Sequence, residues 1–185
     1  QNTLVSGSFI GPCVQSCFVI ATSASTWRNC LIIGNKIFGS YMEDGIQFVD
    51  LGEETDLSNW GTSIIGNDIY EHGENGIDLK AARYIFISGN FIWRIVGSND
   101  GPVSGWNRDS MGTIFRGART MCSDIIVCEN VIYDAAGGIC LRGDNIYVYN
   151  NTLLYNNRDY LGPDSNFNSN STPIFRGIFH QDGGI

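Results

Sequence analysis

Charge is sparse in this 185-residue chain, where Asp, Glu, Lys and Arg together make 16% of the residues. Ala, Leu, Glu and Lys are too few to favour helices, while 23 Gly and abundant Asn favour turns and strands. No run of about eighteen apolar residues occurs, so no segment is long enough to cross a membrane as a helix. A basic surplus is also missing: 11 Lys and Arg stand against 19 Asp and Glu, a net charge of −8. Nucleic acid needs a basic surface, which argues against it as a partner. The six cysteines, Cys13, Cys17, Cys30, Cys122, Cys128 and Cys140, contain no C-x-x-C pair of the kind that builds a zinc site. Their even number suits disulfides in an oxidising compartment; buried free thiols are the alternative. The chain opens at Gln1 with neither Met nor a signal-like apolar stretch, so a processed mature chain or a piece of a longer one is expected.

Hydrophobic residues make 43% of the chain, enough to bury a core, and the simplest division is one domain over 1–185. Within it a ten-residue pattern recurs: "NCLIIGNKIF", "GTSIIGNDIY", "YIFISGNFIW", "DIIVCENVIY" and "NIYVYNNTLL". Aligned on Asn35, Asn67, Asn90, Asn130 and Asn151, the copies lie 32, 23, 40 and 21 residues apart. A basic unit of about 22 residues with insertions falls in the solenoid range. Ile32, Ile64, Ile87, Val127 and Val148 stand three before each Asn, and Ile37, Ile69, Ile92, Ile132 and Leu153 two after it. This period of two marks an inward strand face. A second strand opens with Gly in "GIQFV", "GIDLK", "GTIFR" and "GICLR", which puts Phe48, Leu79, Phe115 and Leu141 in one column. "TLVSGSFIG" and "TPIFRGIFH" look like partial copies at either end.

Units of the form I-x-x-N-x-I followed by G-I-x-L resemble the right-handed parallel β-helix proteins of the pectate-lyase-like superfamily. The resemblance implies an all-β solenoid of about six to seven coils, with two insertion loops, Asp50 to Gly61 and Arg94 to Met111. The five asparagines would then form a ladder at an inward turn, each satisfying its neighbour. The second insertion carries Trp106 and Arg108, and long loops on a rigid scaffold often carry function.

Two outward columns carry the functional expectations. Phe38, Tyr70, Trp93, Tyr133 and Leu154 follow each Asn by three. Such aromatics either stack on sugar rings, with Tyr70, Trp93 and Tyr133 binding substrate, or stack on one another between coils. Lys80, Arg116, Arg142 and Arg176 form the second column, with Arg83 and Arg119 three residues beyond the first two. Six of the eleven basic residues thus lie in one band, which either binds an anion or is balanced by carboxylates such as Asp78. In the lyases of the superfamily a Lys or Arg removes a proton beside a uronate carboxylate. "DLKAA" and "LRGDN" resemble the corresponding segments of the alginate and chondroitin lyase group. That implies Lys80 as base and Arg116 or Arg142 as carboxylate partner; a catalytic Lys80 would need its pKa lowered by flanking cations, a shift that Asp78 opposes. Arg83, Arg119 and Arg176 would extend the binding site for an acidic polysaccharide.

Calcium is the cofactor the superfamily brings, and Asp44, Glu74 and Asp109 ahead of the second strands, or Asp50, Glu53, Glu54 and Asp56 in the first insertion, are its candidate oxygens. No spacing matches an EF-hand, and a solvated acidic loop is the other reading. His72 and His180 stand alone in turn contexts and are assigned no metal.

"NNT" at Asn150 and "NST" at Asn170 are acceptors for N-glycosylation in a eukaryotic source. With the cysteines they suggest an extracellular or cell-surface protein. The chain enters a coil at "TLVSGSF" and stops at "HQDGGI" without a capping helix. The expectation is a fragment of a longer solenoid, or a unit stacked on neighbouring chains. Two readings follow: a secreted protein that binds, or binds and cleaves, an acidic polysaccharide or other glycan, and a structural subunit of an extracellular filament built by end-to-end self-association.

Overall fold

The computed structural model describes residues 2–21, 29–40, 43–49, 59–80, 82–95, 112–116, 122–135, 137–156 and 178–181. Among them every regular element is a β-strand and every pairing is parallel. The strands fall into three series, visited in the same order in each repeat. The first is Thr3–Ser6, Cys30–Ile33, Ser63–Ile65, Ala82–Ser88 and Cys122–Cys128, completed by the end of Gly138–Tyr149. The second is Phe9–Ile10, Lys36–Phe38, Asp68–His72, Phe91–Ile95, Val131–Tyr133 and Thr152–Leu154. Phe18–Ala21, Ile46–Val49, Ile77–Leu79, Gly112–Arg116, the start of Gly138–Tyr149, and Ile178–Gln181 make the third. The second series is a six-stranded sheet. The other two join through Gly138–Tyr149, which runs unbroken from third to first, and with Asn59–Trp60 they make a twelve-stranded sheet.

The ten-residue pattern is therefore two strands broken at its centre. Each break is two residues long: Gly7–Ser8, Gly34–Asn35, Gly66–Asn67, Gly89–Asn90, Glu129–Asn130 and Asn150–Asn151. The first of each pair has a left-handed backbone, with φ between 55° and 64°. A second left-handed column, Gly39, Glu71, Arg94, Asp134 and Tyr155, lies at or near the ends of the second-series strands, and a third, Asn29, Gly61, Tyr84, Asp124 and Asn145, bends the chain at or near the start of the first series. Such corners favour Gly and Asn, and the composition follows from them.

At the first corner the asparagines stack. Oδ1 of Asn67, Asn90, Asn130 and Asn151 each accepts both the backbone N–H and the Nδ2–H of the asparagine one repeat earlier, at 2.9–3.0 Å. Nδ2 also donates to the carbonyl three residues before the previous asparagine, as from Asn90 to Ile64 at 2.9 Å. Asn35, Asn67, Asn90 and Asn130 are buried, and Asn151 is half-buried. Ser8 takes the asparagine place in the first repeat, and its N–H donates to Asn35 Oδ1.

Between corners the alternation builds the core. Ile32, Ile64, Ile87 and Val127 from the first series, and Ile37, Ile69, Ile92 and Ile132 from the second, are all fully buried, as are Ile46, Ile77 and Ile139 from the third. Each such isoleucine contributes roughly 1.5–3 kcal/mol relative to exposure.

Register in the third series departs from the expected alignment. Gly112 pairs with Gly138, but the ladder then shifts, so that Ile114 meets Ile77 and Ile139. Phe115 consequently faces Asp78 and Cys140 along the ladder, and Arg116 stands opposite Leu79. One extra residue is absorbed as a bulge, which keeps isoleucine aligned with isoleucine in this column. The cysteines also depart from the disulfide expectation: none of the six is in a disulfide. Cys30, Cys122, Cys128 and Cys140 are buried, and Cys122 Sγ donates to Leu79 O at 3.5 Å. They behave as small apolar side chains with a weak donor.

Candidate functional site

Among the described residues, Lys80, Arg83, Arg116 and Arg142 do not share one register position. By register Lys80 and Arg142 share a position, each one beyond the paired Leu79–Arg116 and Leu141 steps, while Arg116 lies one place off. Gln181 stands opposite Arg142, in the place expected for Arg176. Arg119 and Arg176 lie outside the described residues. Arg83 belongs to the next series, across the corner, where its Nε donates to Ser123 Oγ at 2.8 Å and lies 4.0 Å from Asp124 Oδ2.

Lys80 is engaged from below. Its ammonium lies 2.8 Å from Asp78 Oδ2, and Asp78 is buried, although strand alternation places it on the outward face. Burial opposes the charge of Lys80, but Asp78, then Asp44 and Glu74, outweigh it and hold the ammonium's pKa above its ordinary value. A base needs the opposite shift, so the expected lowering is corrected. Burial raises the pKa of Asp78 despite the ion pair, and its Oδ1 is buried without a hydrogen-bond partner. Beside it, Asp44 Oδ1 accepts from Asn75 N and Nδ2 at 3.0 and 2.8 Å, and Oδ2 from Gln47 Nε2 at 2.8 Å. Burial, then the charges of Asp78 and Glu74, push the Asp44 carboxyl well above the usual range. Among the described residues no group of three or more His, Cys, Asp or Glu side chains is placed to hold a metal ion. Asp109 and the Asp50, Glu53, Glu54 and Asp56 loop lie outside them.

His72 is not in a turn. It ends the strand Asp68–His72, fully buried in the place Ile95 fills one repeat later. Nδ1 accepts from Ser40 N at 3.2 Å, which leaves Nε2 to donate to Ile37 O at 3.1 Å. Burial lowers its pKa to about 4, against the hydrogen bond to Ile37. His180 lies on the strand Ile178–Gln181.

Phe38, Tyr70, Trp93, Tyr133 and Leu154 are in register along the second series. The first three stack on one another, with centroids 5.4 and 4.7 Å apart and ring planes within 14°. Trp93 Nε1 donates to Asp68 Oδ1 at 2.8 Å. Those ring faces are spent between repeats. Tyr133 meets Tyr155 edge-on at 5.8 Å.

A groove that the repeat columns did not single out lies on the outer face of the first series. Tyr84, Ile85, Phe86, Asp124, Ile126, Asn145 and Tyr147 border this shallow, open depression of about 450 Å³. Phe86, Ile126 and Tyr147 are direct neighbours across three successive strands. Tyr84, Asp124 and Asn145 stand beside them at the left-handed corner. Tyr84 is 51% and Tyr147 59% exposed, so part of each side chain meets solvent. Asp124 accepts from Asn145 Nδ2 at 3.0 Å and Ser123 Oγ at 2.8 Å, and these bonds lower its pKa. The signal for this groove is in "YIF" and "IYVY", where outward positions that should be polar carry aromatic rings.

Outside the chain itself nothing adds to this geometry: no family model, no curated protein and no solved structure matches it.

Proposed function

We propose that the chain is a right-handed parallel β-helix of the pectate-lyase-like kind that binds an extended glycan outside the cell. The observation that carries the reading is the groove of Tyr84, Phe86, Ile126 and Tyr147, with Asp124 and Asn145 along one side. Exposed aromatic faces and a planar amide or carboxylate are what a sugar ring needs, the first for its C–H face and the second for its hydroxyls. Strands stacked about 4.8 Å apart give the groove a direction, so a polymer fits it better than a single sugar. The three-strand repeat and its asparagine ladder support the β-helix. Asn150, exposed at a left-handed corner two residues before exposed Thr152, supports glycosylation there and an extracellular setting; Asn170 lies outside the described residues.

Binding without cleavage is the form of the reading. Lys80 is held as a cation by Asp78, and Arg116 is out of line with Lys80 and Arg142. Affinity electrophoresis of the purified protein through gels containing a panel of polysaccharides is the test. Retardation by one or more polymers supports glycan binding; mobility unchanged by all of them removes it.

A second reading, stacking with further coils of a neighbouring chain into a filament, has its own observation. Val5 and Ile10 in the first repeat and Val148 and Leu153 in the last are only half-buried, whereas the residues of the same columns between them are fully buried. Sedimentation velocity across a concentration series distinguishes the two, since a stable monomer at every concentration excludes the filament.

A further inference from the structure

We infer that the groove takes an uncharged polysaccharide, contacted as consecutive hexose rings, and not the uronate polymer expected from the basic residues; this rests on the glycan-binding reading above. The first argument is charge. Of the seven described residues that line the groove, Asp124 is the one carboxylate, and no lysine or arginine is among those seven. Arg83, the nearest cation described, gives its Nε to Ser123 and faces the same Asp124 carboxylate. A uronate entering the groove would meet an ionised carboxylate whose hydrogen bonds favour its charged form, within a chain of net charge −8. A neutral hydroxyl meets no such penalty and can donate to the Asp124 oxygens or accept from the tyrosine hydroxyls.

Spacing supplies the second argument. Tyr84 belongs to the strand Ala82–Ser88 and Tyr147 to Gly138–Tyr149, with Cys122–Cys128 between them. Two parallel steps separate the tyrosines by about 10 Å along the stack, roughly the length of two hexose units. Phe86 and Ile126 form a continuous apolar floor beside Tyr147. The arrangement therefore offers one platform at each end of a disaccharide segment and apolar contact between them.

The test uses the whole chain on immobilised dextran, laminarin and galactomannan, beside alginate and polygalacturonate. Retention is expected on at least one neutral polymer, changing less than about twofold as salt rises from about 0.05 to about 0.5 M. Tyr84→Ala and Tyr147→Ala should each weaken it by about tenfold, while Tyr155→Ala, at an exposed aromatic on the corner after the second-series strand Thr152–Leu154, binds as the parent does. Because all three rings are exposed, urea midpoints equal to that of the parent separate lost contact from lost folding. Retention by the uronate polymers alone, loss of binding in salt, or tyrosine variants that bind unchanged would each overturn this inference and leave glycan binding standing. No retention on any polymer removes both.

Discussion

Nζ of Lys80 stands 2.8 Å from Oδ2 of Asp78, a carboxylate whose side chain is 2% exposed against 36% for the lysine. The lysine acts as the lid of a buried acid, and the pair belongs to stability. Lys80→Met should cost about 1–3 kcal/mol at neutral pH, because it leaves Asp78 without its counter-charge. Adding Asp78→Asn should recover most of the loss. Urea midpoints of the two single variants and the double give the coupling; a Lys80→Met midpoint equal to that of the parent contradicts the assignment.

The buried imidazole of His72 sets an acid limb. Its folded pKa of about 4 lies below the ordinary 6.5, so the unfolded chain takes up the proton first. Its contribution is complete above pH 6.5 and is lost as pH falls toward 4, by about 3 kcal/mol in all. Relative to His72→Gln, the parent should therefore lose stability across that window in urea titrations read at several pH values. Asp44 has the opposite sign: its raised pKa favours the folded state in acid and is lost as pH rises above 3.8, which is why the comparison must be with the single His72 variant. An NMR titration of His72 centred above pH 6 would overturn the assignment.

The ladder makes a graded prediction. Asn90 accepts from Asn67 N and Nδ2 and donates to Ile64 O and Asn130 Oδ1, all inside the core. Asn90→Leu strands these partners and should cost about 3 kcal/mol or more. Asn151 is half-buried at the ladder's described end, where water can replace its bonds, so Asn151→Leu should cost less. Chemical denaturation of the two variants decides it, and an equal cost would contradict the ladder's dependence on burial.

The aliphatic columns were legible because every repeat holds the same two-residue corner between Ile32 and Ile37 or their equivalents, so counting from Asn keeps register. That counting failed in the third series, where Gly112 matches Gly76 in type but Thr113 separates it from Ile114, and the ladder keeps the isoleucines aligned after the shift. The pairing of Asp78 with Lys80 was legible and its burial was not, because alternation gives a side chain's direction, not whether neighbouring strands cover it. The role of His72 depends on Ile37 and Ser40, more than thirty residues away, and no local pattern announces such partners. No uniform column marks the groove, because its aromatics stand before the Asn-aligned positions, in columns mixed with Ile126 and Asn145.

The two-residue corner also decides where this chain can be engineered. Spacing between asparagines ranges from 21 to 40 residues, yet the segment that joins first to second series never changes length. Longer connections enter at the other two corners, after Val49 and after Ile95 among others. A foreign peptide grafted at either place leaves both flanking ladders in phase. One residue inserted between Ile65 and Asp68 would instead exchange the faces of the strand that follows, turning Ile69 outward and Tyr70 into the core.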